Sequence, residues 1–416
     1  MKILWICSLL FPEAAELLQN KSELKSSGGW MIGLAELLAK TNDVHLSVAI
    51  VSGQVSQLVE LQGKSIRFFV LPKLRYDKYW TEIYDRIKPD VVHIHGTETR
   101  IGDSFVNICG AENVVVSIQG LLSISARYYF AGLSNRDAIT SLTVRDMFKG
   151  GIRQERRRFI KNAEYEISLL KKVRHVIGRT SWDKAHVRAI NPNLKYHFCN
   201  EILRSEFYQA KKWSYNSCIP HTIFLSQGSY PLKGLHQVLK ALPTILERYP
   251  DTVVKVAGKD MLADSSFKDK LLRTSYSAYI RKLVHSLHLT DHVCFMGPLN
   301  ANEMIKEYLS ANVFVSPSSI ENSPNSLGEA QLLGVPCVAS YVGGVMDMIP
   351  DSSCGHMYRF EEIEMLTDLI CSIFDLQSRV CNEKKIEVAS ARHNPENNLL
   401  SLIGIYNSIV DEAGKY

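Results

Sequence analysis

The sequence predicts an α/β protein of two doubly wound domains in tandem, their parallel sheets facing each other across a cleft. Three observations predict it: the length of the chain, an alternation of short apolar runs with helix-patterned segments, and a restart of that alternation after a polar break. At 416 residues the chain exceeds what a single hydrophobic core organises, so two domains are expected. The first series of strands is Ile3–Cys7, His45–Val51, Ile66–Val70, Val91–His95 and Val114–Ile118. Each is followed by a helix-like or polar connection, the pattern of a parallel sheet with crossover helices. The second series is Thr222–Leu225, Val253–Ala257, Val293–Phe295, Val313–Val315 and Pro336–Ala339.

Between the two series lies the polar stretch Trp213–Pro220, which reads as a linker. The expected domains are therefore residues 1–212 and 213–392, with the amphipathic segment 393–416 packing back on the first. In the second domain Leu235, Val238, Leu239, Leu242, Ile245, Leu246 and Tyr249 form the three-four stripe of a helix laid on a sheet. Pro243 within that stripe should kink the helix or mark its first turns. Asn300 with Glu303 reads as a capping box.

Composition narrows the class. With 46% hydrophobic and 22% charged residues the chain is an ordinary globular one, without repeats or low-complexity tracts. The apolar run near Met1 is too short to span a bilayer and has no small-residue cleavage site, so it reads as a buried strand. No other segment reaches transmembrane length. The nine cysteines are scattered, without metal-like spacing, as in a reducing compartment. A cytoplasmic protein, or one peripheral at the inner face of the plasma membrane, is expected. A net charge of +5 is too small to argue for nucleic acid, and none is expected as a partner. Arg153, Arg156, Arg157, Arg158 and Lys161 nevertheless cluster after the aromatic run Arg127-Tyr128-Tyr129-Phe130. Residues 127–161 therefore read either as a solvated helix face or as a surface for anionic lipid or a phosphate-bearing acceptor.

The most informative stretch runs from Ser316 to Ala330. It leaves a buried strand and opens a helix, with Ser323 as the expected N-cap and Pro324 as the first helical residue. The amides of Asn325, Ser326 and Leu327 would then point into the cleft at the positive end of the helix dipole, a ready phosphate site. Glu321 lies in the preceding loop and Glu329 in the first turns, each able to accept hydrogen bonds from sugar hydroxyls. Taken singly, either carboxylate reads as an ordinary loop or helix-start residue.

Together they read differently. Glu321 and Glu329, with the following Gln331-Leu332-Leu333-Gly334-Val335-Pro336-Cys337-Val338, resemble the signature of the retaining family 4 (group 1) glycosyltransferases. Val342-Gly343-Gly344-Val345-Met346-Asp347 fits the same pattern, with Asp347 where that family commonly has Glu. Upstream, Gln227-Gly228-Ser229-Tyr230-Pro231-Leu232-Lys233-Gly234 looks like the family's glycine and lysine phosphate loop. The resemblance covers nearly all of the second domain, with its motifs in order.

It implies a GT-B fold of two Rossmann-like domains and a nucleoside-diphosphate sugar donor held mainly by the C-terminal domain. By that resemblance Glu329 binds ribose hydroxyls, Glu321 the donor sugar near the reacting carbon, and Lys233 neutralises the leaving diphosphate, beside Gly228 and Ser229. Departure of a diphosphate needs a cation and oriented amides where charge develops, which agrees. No Asp-x-Asp triplet exists in the sequence, so no metal and no cofactor are expected. Ser229 departs from the family's Arg, leaving Lys233, Arg204 or Lys259 to carry the phosphate charge.

In the first domain Ser27-Gly28-Gly29-Trp30 occupies the place of the family's glycine loop near the donor phosphates; alone, Gly28 and Gly29 read equally as a flexible helix start. Gln119 ends a strand where the family often has His, and a Gln donates a hydrogen bond but is neither acid nor base. The leaving phosphate itself would then accept the acceptor's proton. His95, Arg179 and Glu201 are expected on the acceptor side, the last two equally able to serve structure. The resemblance extends to bacterial enzymes that build surface polysaccharides, with a saccharide or lipid-linked saccharide acceptor. The competing readings are a GT-B epimerase or phosphorylase, and a non-catalytic sugar-nucleotide-binding or membrane-anchoring subunit.

Overall fold

A computed structural model describes residues 1–19, 29–264, 266, 271–376 and 382–414. Contacts within it divide the chain into two compact units: Met1–Ser123, Lys161–Arg204 and His393–Tyr416 form unit 1, and Ile124–Ile160 with Ser205–Arg392 form unit 2.

Unit 1 holds an eight-stranded sheet: β1 (Lys2–Cys7), β2 (His45–Ser52), β3 (Val59–Gln62), β4 (Arg67–Pro72), β5 (Val91–His95), β6 (Val114–Ser117), β7 (His175–Gly178) and β8 (Lys195–Phe198). Its order is β3-β4-β2-β1-β5-β6-β7-β8, parallel except for the β3–β4 edge pair. All five expected apolar runs are strands of this sheet. The strands not anticipated have local reasons. β3 and β8 are edges whose residues are largely exposed or half-buried, so they carry no apolar run. β7 is fully buried but only four residues long, and follows the Ile152–Lys172 helix almost directly.

The Pro395–Ala413 helix belongs to unit 1 and contributes Leu402, Ile405, Tyr406 and Ile409 to its core. The Tyr406 hydroxyl accepts a hydrogen bond from Trp5 Nε1 at 3.0 Å and lies 2.6 Å from His93 Nδ1. A buried phenol is thus satisfied by the first strand and the fifth.

Unit 2 holds six parallel strands: β9 (Thr222–Leu225), β10 (Val253–Val256), β11 (Val293–Phe295), β12 (Val313–Ser316), β13 (Cys337–Ser340) and β14 (His356–Tyr358). Their order is β11-β10-β9-β12-β13-β14. The Leu235–Arg248 helix buries Leu235, Val238, Leu239, Leu242 and Ile245 of the expected stripe, Leu246 is half-buried, Tyr249 caps the end, and Pro243 lies inside the helix rather than in its first turn. The Asn300–Glu303 capping box forms, with Glu303 N donating to Asn300 Oδ1 at 3.0 Å and Asn300 N to Glu303 Oε2 at 2.8 Å.

Two features of the division differ from a linear split at residue 212. Residues 124–160 group with unit 2 because that unit supplies their bonds: Thr143 Oγ1 donates to Arg273 O at 2.8 Å, and His236 Nε2 donates to Ala131 O at 2.7 Å. Trp213, at the start of the expected linker, is buried and donates its indole N–H to Ala311 O at 2.7 Å.

Among the parallel strands of each sheet the order reverses once, between β1 and β5 in unit 1 and between β9 and β12 in unit 2. Loops leaving the two central strands run to opposite sides there and open a crevice at the strands' carboxyl ends.

Candidate active site

The crevice of the unit 2 sheet brings together two residues 88 positions apart in sequence. The loop leaving β9 carries Lys233 and the loop leaving β12 carries Glu321; because those strands are neighbours, Lys233 Nζ meets Glu321 Oε1 at 2.5 Å. Ser318 Oγ donates to the same carboxylate oxygen at 2.8 Å. Burial alone would push the Lys233 ammonium down, but the Glu321 carboxylate and Tyr230 beside it outweigh that and hold it above the ordinary lysine range. Its charge is therefore fixed at neutral pH.

Two glycines let these loops close. Gly234 adopts φ +69°, and a Cβ there would stand 1.7 Å from Pro317 O. Gly343 adopts φ +54°, and a Cβ there would stand 1.8 Å from Glu321 O. The next amide, Gly344 N, donates to that same Glu321 carbonyl at 3.1 Å. The Gly343-Gly344 pair thus clasps the backbone of Glu321, and only a residue without a side chain fits so close.

The helix after Glu321 spans Asn325–Leu333, with Pro324 rather than Ser323 at the N-cap. The proline cannot begin the helix because its ψ of 115° is extended. Of the three amides expected to face a phosphate, that of Leu327 is already engaged, donating to Pro324 O at 3.0 Å. Asn325 and Ser326 are half-buried at the helix start, and Glu329 is buried within the helix at 5% exposure. Gly228 is buried against Leu235 and Val256, whereas Ser229 and Lys259 are exposed. The helix is held from behind by Gln331, whose Nε2 donates to Met348 O and Cys354 O at 2.9 and 3.1 Å.

In unit 1 the carboxyl ends of β5, β6 and β7 carry a different set. His95 is buried between Trp5 and His93, at ring distances of 4.2 and 3.9 Å. Neither of its ring nitrogens has a hydrogen-bond partner among the described residues. Burial pushes its pKa down to about 3, so the ring is neutral. The adjoining cavity, lined by Trp30, His95, Arg179, Asn200 and Glu201, measures about 20 Å³, room for one water and no more.

Arg179 and Glu201, read from sequence as serving either the acceptor side or structure, are buried at 4% and 7% exposure and paired with each other at 2.7 Å. Arg179 also donates to Ile118 O at 2.5 Å and to Gln119 Oε1 at 3.4 Å. Arg179 thereby holds Gln119 and the end of β6. Gly29 opens the Gly29–Ala39 helix; a Cβ on it would stand 2.8 Å from Arg204 Cγ, so its bareness makes room for that arginine. Gly28 lies outside the described residues.

One residue escaped the sequence reading. Glu98, just past β5, folds back over Gly96 so closely that a Cβ there would stand 2.2 Å from Glu98 Oε2. Its Oε1 accepts from Gly120 N at 3.1 Å. Burial, with the Glu166 carboxylate nearby, raises its pKa to about 7. Glu166 itself is fully buried and takes hydrogen bonds from Thr97, Leu122 and Ser123. The only clue to Glu98 in the sequence was its place just beyond a strand end.

Among the described residues no group of three or more His, Cys, Asp or Glu is placed to hold a metal ion. No described helix is long and apolar enough to cross a membrane. What the unit 2 crevice offers is a fixed cation, a carboxylate and a helix N-terminus within one loop system. That set suits a ligand bearing both phosphate and hydroxyl groups.

Comparison with known proteins agrees. Residues 214–388 match the family model described as glycosyl transferases group 1. The chain is 26% identical over 179 residues to the D-inositol 3-phosphate glycosyltransferase of Corynebacterium urealyticum, covering 43% of this chain and 41% of that protein. The chain thus spans less than half the length of the curated relatives it matches. Among solved structures, sucrose-phosphate synthase from Thermosynechococcus elongatus superposes with a TM-score of 0.72 at 16% identity, covering 98% of both chains. Anabaena HepE in complex with UDP superposes at 0.64 and 14% identity, covering 98% of this chain and 100% of that one. The fold is GT-B, two parallel-sheet α/β units in one chain.

Proposed function

We propose, because residues 214–388 match the family model of the group 1 glycosyl transferases, that the chain is a retaining, metal-independent glycosyltransferase. It moves a sugar from a nucleoside-diphosphate sugar to a saccharide or lipid-linked saccharide, in surface polysaccharide biosynthesis. The observation that carries this reading is the Lys233–Glu321 pair at the switch point of the unit 2 sheet, beside the start of the Asn325–Leu333 helix.

A diphosphate entering that crevice takes Lys233 as its counter-cation, and the carboxylate released from the pair is then free to accept hydrogen bonds from the donor sugar. Glu329 stands further along the same helix for the ribose. A cation and oriented amides placed where charge develops on the leaving diphosphate lower the barrier to its departure, commonly by two to three orders of magnitude per group, on the order of 3 kcal/mol. Gln119 carries no basic group, so the acceptor's proton passes to the leaving phosphate. A fold neighbour was solved with UDP bound, which supports a nucleotide ligand without choosing the base.

The test is a thermal-shift panel of UDP, GDP, ADP and their sugar conjugates, repeated with chelator. Micromolar affinity at millimolar ligand stabilises the native state by about 4 kcal/mol, an easily read shift. One base that stabilises the protein in chelator supports the reading. A shift abolished by chelator removes the metal-independent part, and no shift with any nucleotide removes the whole.

A further inference from the structure

Met147 and Phe148, adjacent on the short Val144–Lys149 helix, are 83% and 84% exposed. Val144, one turn earlier on the same face, is also exposed, as are Ile139 and Leu142 just before the helix. Single exposed apolar residues are normal on a protein surface, but a run of them on one short segment is not. The helix has an anchored base. Thr143 N donates to Asp146 Oδ2 at 3.0 Å, Thr143 Oγ1 to Arg273 O at 2.8 Å, and Ile152 N to Ser275 Oγ at 3.2 Å. An apolar tip on a fixed base needs something to cover it.

Charge identifies the cover. Residues 135–160 contain seven Lys or Arg and three Asp or Glu, a net of +4 out of the chain's +5. The three acids are spent internally: Asp137 caps through Ser134, Asp146 binds Thr143, and Glu155 accepts from the Tyr129 hydroxyl at 2.8 Å. Lys149, Arg153, Arg157 and Arg158 are exposed. Arg158 Nη2 donates to Lys149 O at 2.5 Å, which brings two of these cations to the end of the helix that carries the apolar tip. Of the aromatic run beside it, Tyr129 is 3% exposed and Phe130 lies under Arg156, 5.5 Å from its guanidinium carbon, while Tyr128 is exposed.

We propose that the Val144–Lys149 helix docks the protein on an anionic lipid surface. Met147 and Phe148 enter the acyl boundary while Lys149, Arg153, Arg157 and Arg158 meet the headgroups. Apolar side chains flanked by cations are the pattern that binds anionic interfaces. The inference stands independently of the donor and acceptor assigned above.

The test is co-sedimentation of the whole chain, without nucleotide, with vesicles of phosphatidylglycerol and phosphatidylcholine or of phosphatidylcholine alone. Nucleotide stabilisation and melting temperature are measured on the same samples. Binding to the anionic vesicles should exceed that to the neutral ones at least tenfold and weaken with salt. A Met147→Ser/Phe148→Ser double variant and an Arg157→Glu/Arg158→Glu double variant should each lose at least tenfold, with melting temperature and nucleotide response unchanged. No binding to anionic vesicles at low salt overturns the proposal, as does wild-type binding by both variants. Self-association or pairing with a protein that the Met147/Phe148 variant abolishes, in the absence of vesicle binding, assigns the patch to a protein contact and equally overturns it.

Discussion

The two sheets reverse order in the same way, yet their crevices are filled by opposite means. At the end of β9 and β12, Lys233 is held above the ordinary lysine range by the Glu321 carboxylate, 2.5 Å away. At the end of β5 and β6, His93 and His95 are held neutral by burial and Glu98 is held near half-protonation at neutral pH. The charges that are present there, Arg179 and Glu201, are buried against each other. One crevice is thus prepared to exchange an ionic partner for an anionic ligand. The other offers neutral or weakly charged groups, the kind that hydroxyls meet without an ionic competitor. Desolvation and pairing are different ways of setting protonation, and similar topology has been given one of each.

The comparison breaks most easily at its charged end. Lys233→Ala leaves Glu321 without its counter-ion and, on the proposed function, the leaving diphosphate without its cation. We expect sugar transfer to fall by about 100-fold or more, measured as release of nucleoside diphosphate. A loss below about threefold would mean that the lysine serves only to hold Glu321.

The clasp around that pair comes next. Gly343→Ala and Gly234→Ala each place a Cβ against backbone oxygen, at 1.8 and 1.7 Å, in left-handed conformations. Each should cost about 2–4 kcal/mol in stability or in the loop's geometry, read by denaturant unfolding together with nucleotide affinity. Gly53→Ala, where nothing lies within 4 Å, is the control and should change little.

How far the sequence revealed this can be judged from the same residues. Lys233, Gly234, Glu321 and Gly343 are all legible as motif positions, and at the two glycines the clasp leaves no room for a side chain. That Lys233 and Glu321 would touch was not written in either motif; it follows from β9 and β12 becoming neighbours, a long-range fact. The cap was misplaced by one residue, since Ser323 and Pro324 both suit a helix start and only the extended ψ of Pro324 decides between them. Arg179 and Glu201 stayed open between a ligand-facing and a structural role because burial is invisible in sequence; the structure pairs them, buried. Glu98 was overlooked for the converse reason: a carboxylate beyond a strand has no signature until burial and Gly120 act on it. Residues 124–160 were allotted by chain order to the first domain, whereas their bonds to Arg273, Ser275 and His236 tie them to the second unit.

The neutral crevice can be sharpened by pH. His95 in that crevice is depressed to about 3, and His175, at the amino end of β7 away from it, to about 4, both by burial first. The unfolded chain takes up these protons below the ordinary histidine value of 6.5 and the native chain does not. The stability they contribute is therefore complete above pH 6.5 and lost as pH falls toward 4 and then 3. Melting temperature should drop steeply below about pH 6, and His95→Gln should flatten part of that fall. A profile flat to pH 4 would mean that these rings are charged or exposed.

Glu98 runs the other way. Its pKa is raised from 4.5 to about 7, so the stability linked to its proton is complete below 4.5 and lost as pH rises through 7. Glu98→Gln should therefore stabilise the protein at pH 8 relative to wild type, by at most about 3 kcal/mol, and leave it little changed at pH 4.5. Equal melting temperatures at pH 8 would place the carboxyl in water rather than in the crevice.

The central claim is that the charged crevice both holds a nucleoside-diphosphate sugar and breaks its glycosidic bond. The direct measurement is donor binding and nucleoside-diphosphate release on the same chelator-treated samples of wild-type and Glu321→Ala protein. UDP-, GDP- and ADP-hexoses serve as donors, with water or added methyl glycosides as acceptor. The account predicts that one base is bound by both proteins and turned over by the wild type, with release at least about 100-fold slower in Glu321→Ala. Binding without any turnover in the wild type, or equal turnover in the two proteins, would contradict it.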